Sequence, residues 1–240
     1  MIPKIIHQTW KNKDIKPEWK KLQQSWKAHH PDWEYRFWTD EDNRNFISQY
    51  YSWFLPIYDA YDRNIKKANA VRHFIMYHYG GIYADLDLEC LRPFDELLEG
   101  QELVFGLEPP NHLTTPNSRN LDKIVCDAFI ASRPGHSFWA HLFNYLVDCQ
   151  NASDVLDAVS VYLVTRAYNT YSEKQKITIF PSEILYPISI KETWENNFKD
   201  EAKRKQLTEK AFAIHYWHGS WWREIALERV HESLKRKKAT

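Results

Sequence analysis

Hydrophobic and polar positions along the first 50 residues follow a β-α-β-α order. The β-rich run "PKIIHQTW" (residues 3–10) is followed by Trp19, Leu22 and Trp26, which recur at helical spacing. The alternating segment "EYRFWTDED" (residues 34–42) predicts a strand that leads into the cap of a second helix. Strands that alternate with helices predict an α/β fold with a parallel sheet covered by helices.

The clearest predicted helix is "NIKKANAVRHFIMYHYGG" (residues 64–81). At 100° per residue its broad apolar face is formed by Ala68, Val71, Phe74, Ile75, His78 and Tyr79. Asn69 and Arg72 lie in a stripe beside that face. The pair Gly80-Gly81 predicts the helix end, because glycine readily adopts the left-handed conformation of a C-cap.

The rest of the chain carries further strand and helix patterns. We predict a strand over "IYADLDLECL" (82–91), and later strands in the segments 102–108, 127–132, 176–188 and 210–222. Helices are predicted over residues 137–149 and 154–171. No repeat, low-complexity tract or linker divides the sequence, so we expect a single domain across residues 1–240.

Composition limits the function classes. Lys+Arg and Asp+Glu both number 32, so the net charge is zero and nothing indicates a nucleic-acid-binding protein. The basic tail "LKRKKAT" (residues 234–240) suggests weak membrane-surface contact at most. The 11 Trp, 14 Tyr and 12 Phe weakly favour a ligand with flat faces on which rings can stack.

Three cysteines and the absence of long apolar runs predict the compartment. The odd cysteine number without a CxxC pair argues against a disulfide framework or a zinc site and favours a reducing environment. The sequence shows no signal peptide and no run of about 18 apolar residues. We therefore expect a soluble, cytoplasmic protein without a transmembrane segment.

The most informative stretch is "YGGIYADLDLE" (residues 79–89). Residues two apart on a strand point to one side, so Tyr83, Asp85 and Asp87 would share a face opposite the apolar residues of the strand. Such spacing alone more often marks a solvated strand end. In an open α/β sheet, however, ligands bind beyond the carboxyl ends of strands, and two carboxylates there suit a metal that also contacts substrate phosphates.

Two other segments contain candidate functional residues, and each also has a purely structural interpretation. Arg72 is placed to hold a phosphate or a sugar hydroxyl, although helix-surface arginines are commoner. The late segment "HYWHGSWW" (residues 215–222) contains His215 and Ser220, which suit metal and phosphate binding. Taken alone, the segment supports two interpretations equally well: such a binding site, or a hydrogen-bonded core histidine packed among tryptophans.

Together, "IPKIIHQTW", "ANAVRHFIMYHYGGIYADLDLE" and "AIHYWHGSWW" resemble the DXD-motif sugar transferases. That family includes yeast initiating α-1,6-mannosyltransferase, inositolphosphoceramide mannosyltransferases and bacterial capsule or lipooligosaccharide transferases, and is distantly similar to the glucosylating clostridial toxins. The resemblance implies a GT-A-type, Rossmann-like mixed sheet with flanking helices. It also implies Mn²⁺ or Mg²⁺, a nucleotide-sugar donor, a glycan or glycolipid acceptor, and retaining hexosyl transfer. A UDP-sugar is favoured and GDP-mannose stays open.

The resemblance also assigns residues. The implied metal ligands are Asp85, Asp87 and His215, and the implied catalytic residues are Asp85, Asp87 and Arg72. The implied substrate contacts are Gln8, Thr9 and Trp10 at the nucleotide base, Arg72, Tyr83 and Asp85 at the donor sugar or ribose, and Ser220 with Trp221 (or Trp222) at the diphosphate.

The sequence departs from the family pattern at three places. Asn69 stands where the family usually has Asp, which puts donor choice or rate in question. Asp127 stands where the family often has Asn and is a candidate sugar- or acceptor-contacting carboxylate. Val159-Ser160-Val161 replaces a Thr-Gly-Pro segment that often touches the acceptor, so relatives are a poor guide to the acceptor.

The sequence leaves two other function classes open. The first is a catalytically weakened nucleotide-sugar- or carbohydrate-binding protein on the same scaffold. Asn69 motivates it, and the intact set of metal ligands argues against it. A nucleotidyltransferase is the second. It ranks low, because "HQTWKNKD" (residues 7–14) lacks the glycine-rich phosphate loop expected after a first strand.

Overall fold

The computed structural model describes residues 1–114, 119–195 and 200–219 of the 240-residue chain. Its strands in these ranges are β1 (Ile5–Thr9), β2 (Glu34–Trp38), β3 (Gly81–Ala84), β4 (Leu88–Cys90), β5 (Leu103–Leu107), β6 (Val125–Ser132), β7 (Ile177–Phe180) and β8 (Ala213–His215).

The helices cover both faces of the sheet or form short connecting turns. The α-helices are α1 (Pro17–His29), α2 (Asp40–Tyr50), α3 (Leu55–Ala60), α4 (Asn64–His78), α5 (Asp95–Leu98), α6 (Ser137–Asp148), α7 (Val155–Val159), α8 (Val161–Thr170), α9 (Ser182–Leu185), α10 (Ile190–Trp194) and α11 (Glu201–Thr208). Within the described residues, no helix combines the length and the apolar character needed to cross a membrane.

Six strands form a mixed central sheet in the order β2-β1-β3-β6-β5-β7. β1 runs parallel to β2 and β3, whereas β6 runs antiparallel to β3 and β5. The predicted β-α-β-α opening and the mixed sheet with flanking helices are therefore confirmed. The predicted start of α2 is a capping box, in which the side chains and amides of Thr39 and Asp42 bond reciprocally.

Alternate residues of the central strands face two hydrophobic cores. Tyr83, Phe105 and Ile130 belong to the core under α2, α4, α6 and α8. Ile82 and Phe129 belong to the opposite core, which includes Trp26 of α1 and Phe94. This period-two division is the pattern expected for a sheet covered on both faces.

The prediction of one strand over residues 82–91 was wrong. β3 ends at Ala84, and a turn closed by the Leu88 amide donating to the Asp85 carbonyl (3.0 Å) leads into β4. β4 leaves the central sheet and pairs antiparallel with β8, with Leu88 opposite His215. Leu86 therefore packs in a separate small cluster with Trp19 instead of continuing the buried face of β3.

The prediction of one continuous helix over residues 154–171 was also wrong. The helix breaks at Ser160, whose extended backbone (φ −131°, ψ −146°) separates α7 from α8. Side-chain periodicity continues across this break, so the hydrophobic pattern does not show it.

The diglycine after α4 sets the distance between the helix and the sheet. Gly80 has φ +65° and its amide bonds to the Met76 carbonyl, which ends α4 as predicted. Gly81 has φ +93°, and a Cβ there would lie 2.4 Å from the Ile5 carbonyl oxygen of the neighbouring strand β1. Only glycine therefore allows β3 to pair at this distance.

We expect Gly81→Ala to lower the free energy of unfolding by at least about 3 kcal/mol, because it adds a backbone clash to a strained φ. Gly100→Ala is the matched control, since Gly100 has φ +73° but nothing within 4 Å of the added Cβ. It should cost only about 1–2 kcal/mol. Urea unfolding measures both variants. Equal losses in the free energy of unfolding would show that the close approach of Gly81 to the Ile5 carbonyl is unimportant.

Candidate active site

A large cavity of about 1570 Å³ opens at the carboxyl end of β1 and at the turn after β3. Part of its lining comes from the N-terminal half of the chain, including Thr9, Trp10 and Arg72. The rest of the lining comes from later residues, including Tyr162 and Trp194. The location agrees with the general position of ligand sites in open α/β sheets.

Asp85, Asp87 and His215 converge at the floor of this cavity. Each offers one ligand atom, and these atoms lie within 4.8 Å of one another. The two aspartates lie in the turn between β3 and β4, and the β4–β8 pairing brings His215 beside them. The carboxylates thus share one side because of the turn, not because of the strand spacing that the sequence suggested.

Asp87 is held as a carboxylate. His215 Nε2 lies 3.1 Å from Oδ1, and the backbone amide of His218 donates to Oδ2 at 2.9 Å. Burial alone would raise the pKa of Asp87, but His215 and the His218 amide lower it to about 2. The same pairing raises the pKa of His215 against the effect of burial.

The pKa of Asp85 is shifted in the opposite direction from that of Asp87. Burial and the neighbouring charge of Asp87 raise the pKa of Asp85 to about 6, although Arg72 opposes the shift. The Tyr83 hydroxyl donates to Asp85 Oδ1 at 3.0 Å, and Arg72 Nη2 lies 3.3 Å from the same oxygen. Asp85 thus contacts one positive charge, but burial and the charge of Asp87 outweigh it.

This donor set fits a divalent cation. Two carboxylates and one imidazole are ligands for Mn²⁺, and the carboxylates also suit Mg²⁺. The buried Nδ1 of His215 has no hydrogen-bond partner among the described residues. A cation at this point would also relieve the repulsion that raises the pKa of Asp85.

Arg72 is almost completely buried and connects α4 to two strands. Its Nη1 donates to the Asp127 carbonyl oxygen at 2.8 Å, and its guanidinium lies over the Tyr83 ring at 4.7 Å from the centroid. Burial opposes its charge, but Asp85, Tyr83 and Asp127 together hold its pKa above the ordinary value. The residue therefore supplies a fixed positive charge beside the carboxylate cluster.

Asn69 and Asp127 flank this guanidinium. The Asn69 side-chain oxygen accepts a hydrogen bond from Arg72 Nη2. Asp127 Oδ1 accepts a hydrogen bond from the Ser160 hydroxyl at 3.0 Å, while Oδ2 lies 3.7 Å from Arg72 Nη1 and has no hydrogen-bond partner among the described residues. Burial raises the pKa of Asp127. Both residues line the cavity, where they can meet a substrate.

The residues predicted at the end of β1 separate into two groups. Thr9 and Trp10 line the cavity; the Thr9 hydroxyl lies 3.2 Å from the Tyr83 hydroxyl, and Trp10 meets Trp19 edge to face at 4.3 Å. Gln8 is completely buried and does not line the cavity. Its side-chain amide donates to the Asp85 carbonyl (3.3 Å), so in this structure it supports the turn.

Ser220 and Trp221 lie outside the described residues. The described part of that segment includes Trp217, for which the sequence suggested only a packing role. Trp217 lies 4.1 Å from the His215 ring, centroid to centroid, and its indole N–H donates to the Ile188 carbonyl. Its place two residues after His215 was visible in the sequence, but its contacts were not.

The sequence reading missed a second group, Glu108 and His112. The Ile190 amide donates to His112 Nε2 (3.1 Å), so the other ring nitrogen, Nδ1, donates to Glu108 (2.8 Å). Both residues line the cavity. No motif marks them: the Glu108–His112 contact is local, but the Ile190 amide that bonds to the His112 ring lies 78 residues further along the chain.

Comparisons with known proteins agree with this geometry. Residues 16–104 match the family described as "Glycosyltransferase sugar-binding region containing DXD motif", and residues 131–235 match the "Alpha 1,4-glycosyltransferase conserved region". The chain is 54% identical over 98 residues to inositol phosphoceramide mannosyltransferase 2 of Schizosaccharomyces pombe, covering 41% of this chain and 28% of that protein. The chain thus matches about a quarter to a third of the length of such relatives.

More distant relatives cover more of the chain. The initiation-specific alpha-1,6-mannosyltransferase of Candida albicans is 33% identical, over 61% of this chain and 43% of that protein. The solved PaToxG glycosyltransferase superposes with a TM-score of 0.53 at 14% identity, covering 87% of this chain and 79% of that one. This last likeness supports the GT-A-like fold alone.

We expect the protein to bind Mn²⁺ through the Asp85, Asp87 and His215 cluster. Loss of a supporting residue around a metal typically weakens binding 10–100-fold, so Asp87→Asn, which removes a ligand, should weaken it at least about tenfold. Electron paramagnetic resonance of free Mn²⁺ measures the affinity. Asp59→Asn is the control, because Asp59 pairs with Arg44 on the surface and lies outside the cavity. Equal Mn²⁺ affinity in the wild type, Asp87→Asn and Asp59→Asn would show that the cluster is not the metal site.

Proposed function

Because this chain belongs to the DXD-motif glycosyltransferases, we propose that it transfers a hexose from a nucleotide-diphosphate sugar to a glycan or glycolipid acceptor. The observation that carries the proposal is the Asp85, Asp87 and His215 cluster beside the buried Arg72 in one large cavity. Such a set suits a donor whose diphosphate needs a cation and whose sugar needs a fixed hydrogen-bond donor.

The names of the relatives support a mannosyl group as the transferred hexose. Several are mannosyltransferases by name, and three of these are named for inositol phosphoceramide. The sequence alone favoured a UDP-sugar, with GDP-mannose as the other donor. Both donors remain in the proposal, and inositol-containing glycolipids join glycans as acceptor candidates.

Retention of the anomeric configuration is also part of the proposal. The matched region and a relative are named for alpha linkages. Nucleotide hexoses of this class carry the sugar as the α-anomer, so an α-linked product means retention. No protein nucleophile is required, because the acceptor hydroxyl can approach from the face that the diphosphate leaves.

In the proposed reaction the bond between the anomeric carbon and the phosphate oxygen breaks, and the acceptor oxygen forms the new glycosidic bond. The departing diphosphate accepts the proton of that hydroxyl. A bound divalent cation supplies positive charge next to the diphosphate, and Asp85, Asp87 and His215 would hold it.

The other residues of the site orient the sugar. Arg72 is fixed by the Asp127 carbonyl and the Tyr83 ring, so its charge is in place before the substrate arrives. Asp127 Oδ2 is suited to accept a hydrogen bond from a sugar hydroxyl, because Ser160 already holds the other oxygen.

The alternative is a binding protein with little transferase activity. Its supporting observation is that Asn69, a neutral residue, gives its side-chain oxygen to Arg72 and so has less capacity to hold a sugar hydroxyl. Hydrolysis of the donor separates the two functions, since a binding protein would be stabilised by the nucleotide sugar without turning it over.

A screen of nucleotide sugars tests the proposal. With Mn²⁺ present, we expect one of UDP-glucose, UDP-galactose or GDP-mannose to raise the melting temperature and to be hydrolysed slowly in the absence of an acceptor. The Asp87→Ala protein should lose this hydrolysis, while Asp59→Asn should keep it. Stabilisation without hydrolysis would favour the binding protein, and neither effect with any donor would refute the proposed function.

We expect Asn69→Asp to change the relative rates for different donors, because a carboxylate at this position would pair with Arg72 and gain a second acceptor oxygen for sugar hydroxyls. The measurement is kcat/KM for hydrolysis of at least two nucleotide sugars. Asn64→Asp is the control, because it makes the same substitution at the first residue of α4 in the outer cavity wall. An unchanged donor ratio in Asn69→Asp would place residue 69 away from the sugar.

A further inference from the structure

We infer that Trp194, at the end of α10, is the stacking platform of an acceptor subsite for a pyranose or cyclitol ring. The inference rests on the proposed transferase function and adds the class of group that the acceptor presents. Five observations support it: the size of the cavity, the exposure of Trp194, the fixation of α10, the charged residues around the indole, and the position of the subsite relative to Asp127.

The cavity is larger than one small ligand needs. Its volume of about 1570 Å³ exceeds the roughly 300–1,000 Å³ of ordinary ligand pockets. Of the donor residues implied by the resemblance, Thr9, Trp10, Arg72, Tyr83 and Asp85 line the cavity. The later lining residues, which fall within 108–112, 153–162 and 190–195, have no donor role assigned to them. They therefore offer the place for the second substrate.

Trp194 is the most exposed tryptophan of the described chain, with 66% of its surface accessible. The other exposed large hydrophobic residues there are Met1, Tyr50 and Trp53, and none of them lines the cavity. An indole that stays open to solvent inside a substrate cavity leaves a flat apolar face available to a ligand.

The short helix α10 is fixed to the rest of the site. Ser189 and Glu192 form a capping box at its start, and the Ile190 amide donates to the buried His112 ring. Just before the helix, the Ile188 carbonyl accepts the Trp217 indole N–H, and Trp217 contacts His215. Trp194 follows Ile190 by one helical turn, about 6 Å along the axis. The backbone that carries the indole is therefore held in place before a ligand binds.

The charged neighbours of Trp194 indicate a ring with hydroxyl groups instead of an aliphatic chain. Lys191 and Glu195 line the same part of the cavity, with Lys191 Nζ 3.8 Å from Glu195 Oε1. A sugar or cyclitol ring presents an apolar C–H face to an indole and hydroxyls at its edge to charged groups. A lipid chain offers no hydrogen-bonding group to those charges.

The subsite also lies in continuity with the reacting region. Asp127 contacts Arg72 and accepts a hydrogen bond from Ser160, which is followed by Val161 and Tyr162 in the lining of the same cavity. A ring on Trp194 would therefore share one cavity with Arg72 and Asp127.

The test combines kinetics with direct binding. With the donor identified by the screen, transfer is measured to methyl α-D-mannopyranoside and to myo-inositol in the wild type, Trp194→Ala, Trp194→Phe and the control Trp53→Ala. We expect Trp194→Ala to raise the acceptor KM about tenfold for at least one of these rings, with Trp194→Phe in between. Donor KM and donor hydrolysis should stay within about twofold, and Trp53→Ala should resemble the wild type.

An unchanged acceptor KM in Trp194→Ala would overturn the inference, and so would a rise of donor KM equal to that of acceptor KM. Use of octyl but not methyl α-D-mannopyranoside, with the difference lost in Trp194→Ala, would overturn it in favour of an aliphatic chain. If the screen identifies no donor, the proposed function fails separately from this inference. Saturation-transfer NMR of the two rings then decides the subsite: loss of their signals in Trp194→Ala supports it, and equal signals overturn it.

Discussion

The structure of the site depends on one buried guanidinium. Arg72 comes from α4 and contacts groups from two different strands, Asp85 beyond β3 and Asp127 on β6. A buried charge is costly unless it is paired and hydrogen-bonded, so the helix and both strands must keep their positions together. The positive charge of Arg72 in turn allows three acidic residues to approach one another in a largely enclosed space.

The positions of α4 and β3 follow from the backbone at the diglycine. Gly80 ends the helix and Gly81 lets the chain pass the Ile5 carbonyl closely, so β3 enters the sheet directly beside β1. That placement brings the ends of β1 and β3 to the same edge. Thr9, Tyr83 and Asp85 consequently form a continuous line of hydrogen bonds there.

Local patterns predicted the opening β-α-β-α order and the stop of α4, because each is encoded within a few neighbouring residues. They also marked Arg72, Asp85 and Asp87 as candidates, although the roles of these residues came from the family resemblance. The turn at Asp85 and the break at Ser160 were not predicted, since hydrogen bonds to distant segments impose them on continuous hydrophobic patterns. The support of the turn by Gln8 and the exposure of Trp194 depend on tertiary contacts in the same way. The segment alone made His215 a candidate, and its resemblance to a known family favoured a metal ligand over a core histidine.

The small sheet of β4 and β8 has a consequence for the order in which the protein folds. Asp85 and Asp87 lie close in sequence to the helix and strand that hold them, whereas His215 is 128 residues from Asp87. Closing so long a loop has an entropic cost, and the three-residue strands offer few hydrogen bonds in return. We therefore expect the β4–β8 pairing, and with it the complete ligand set, to form after the local contacts that hold the two aspartates.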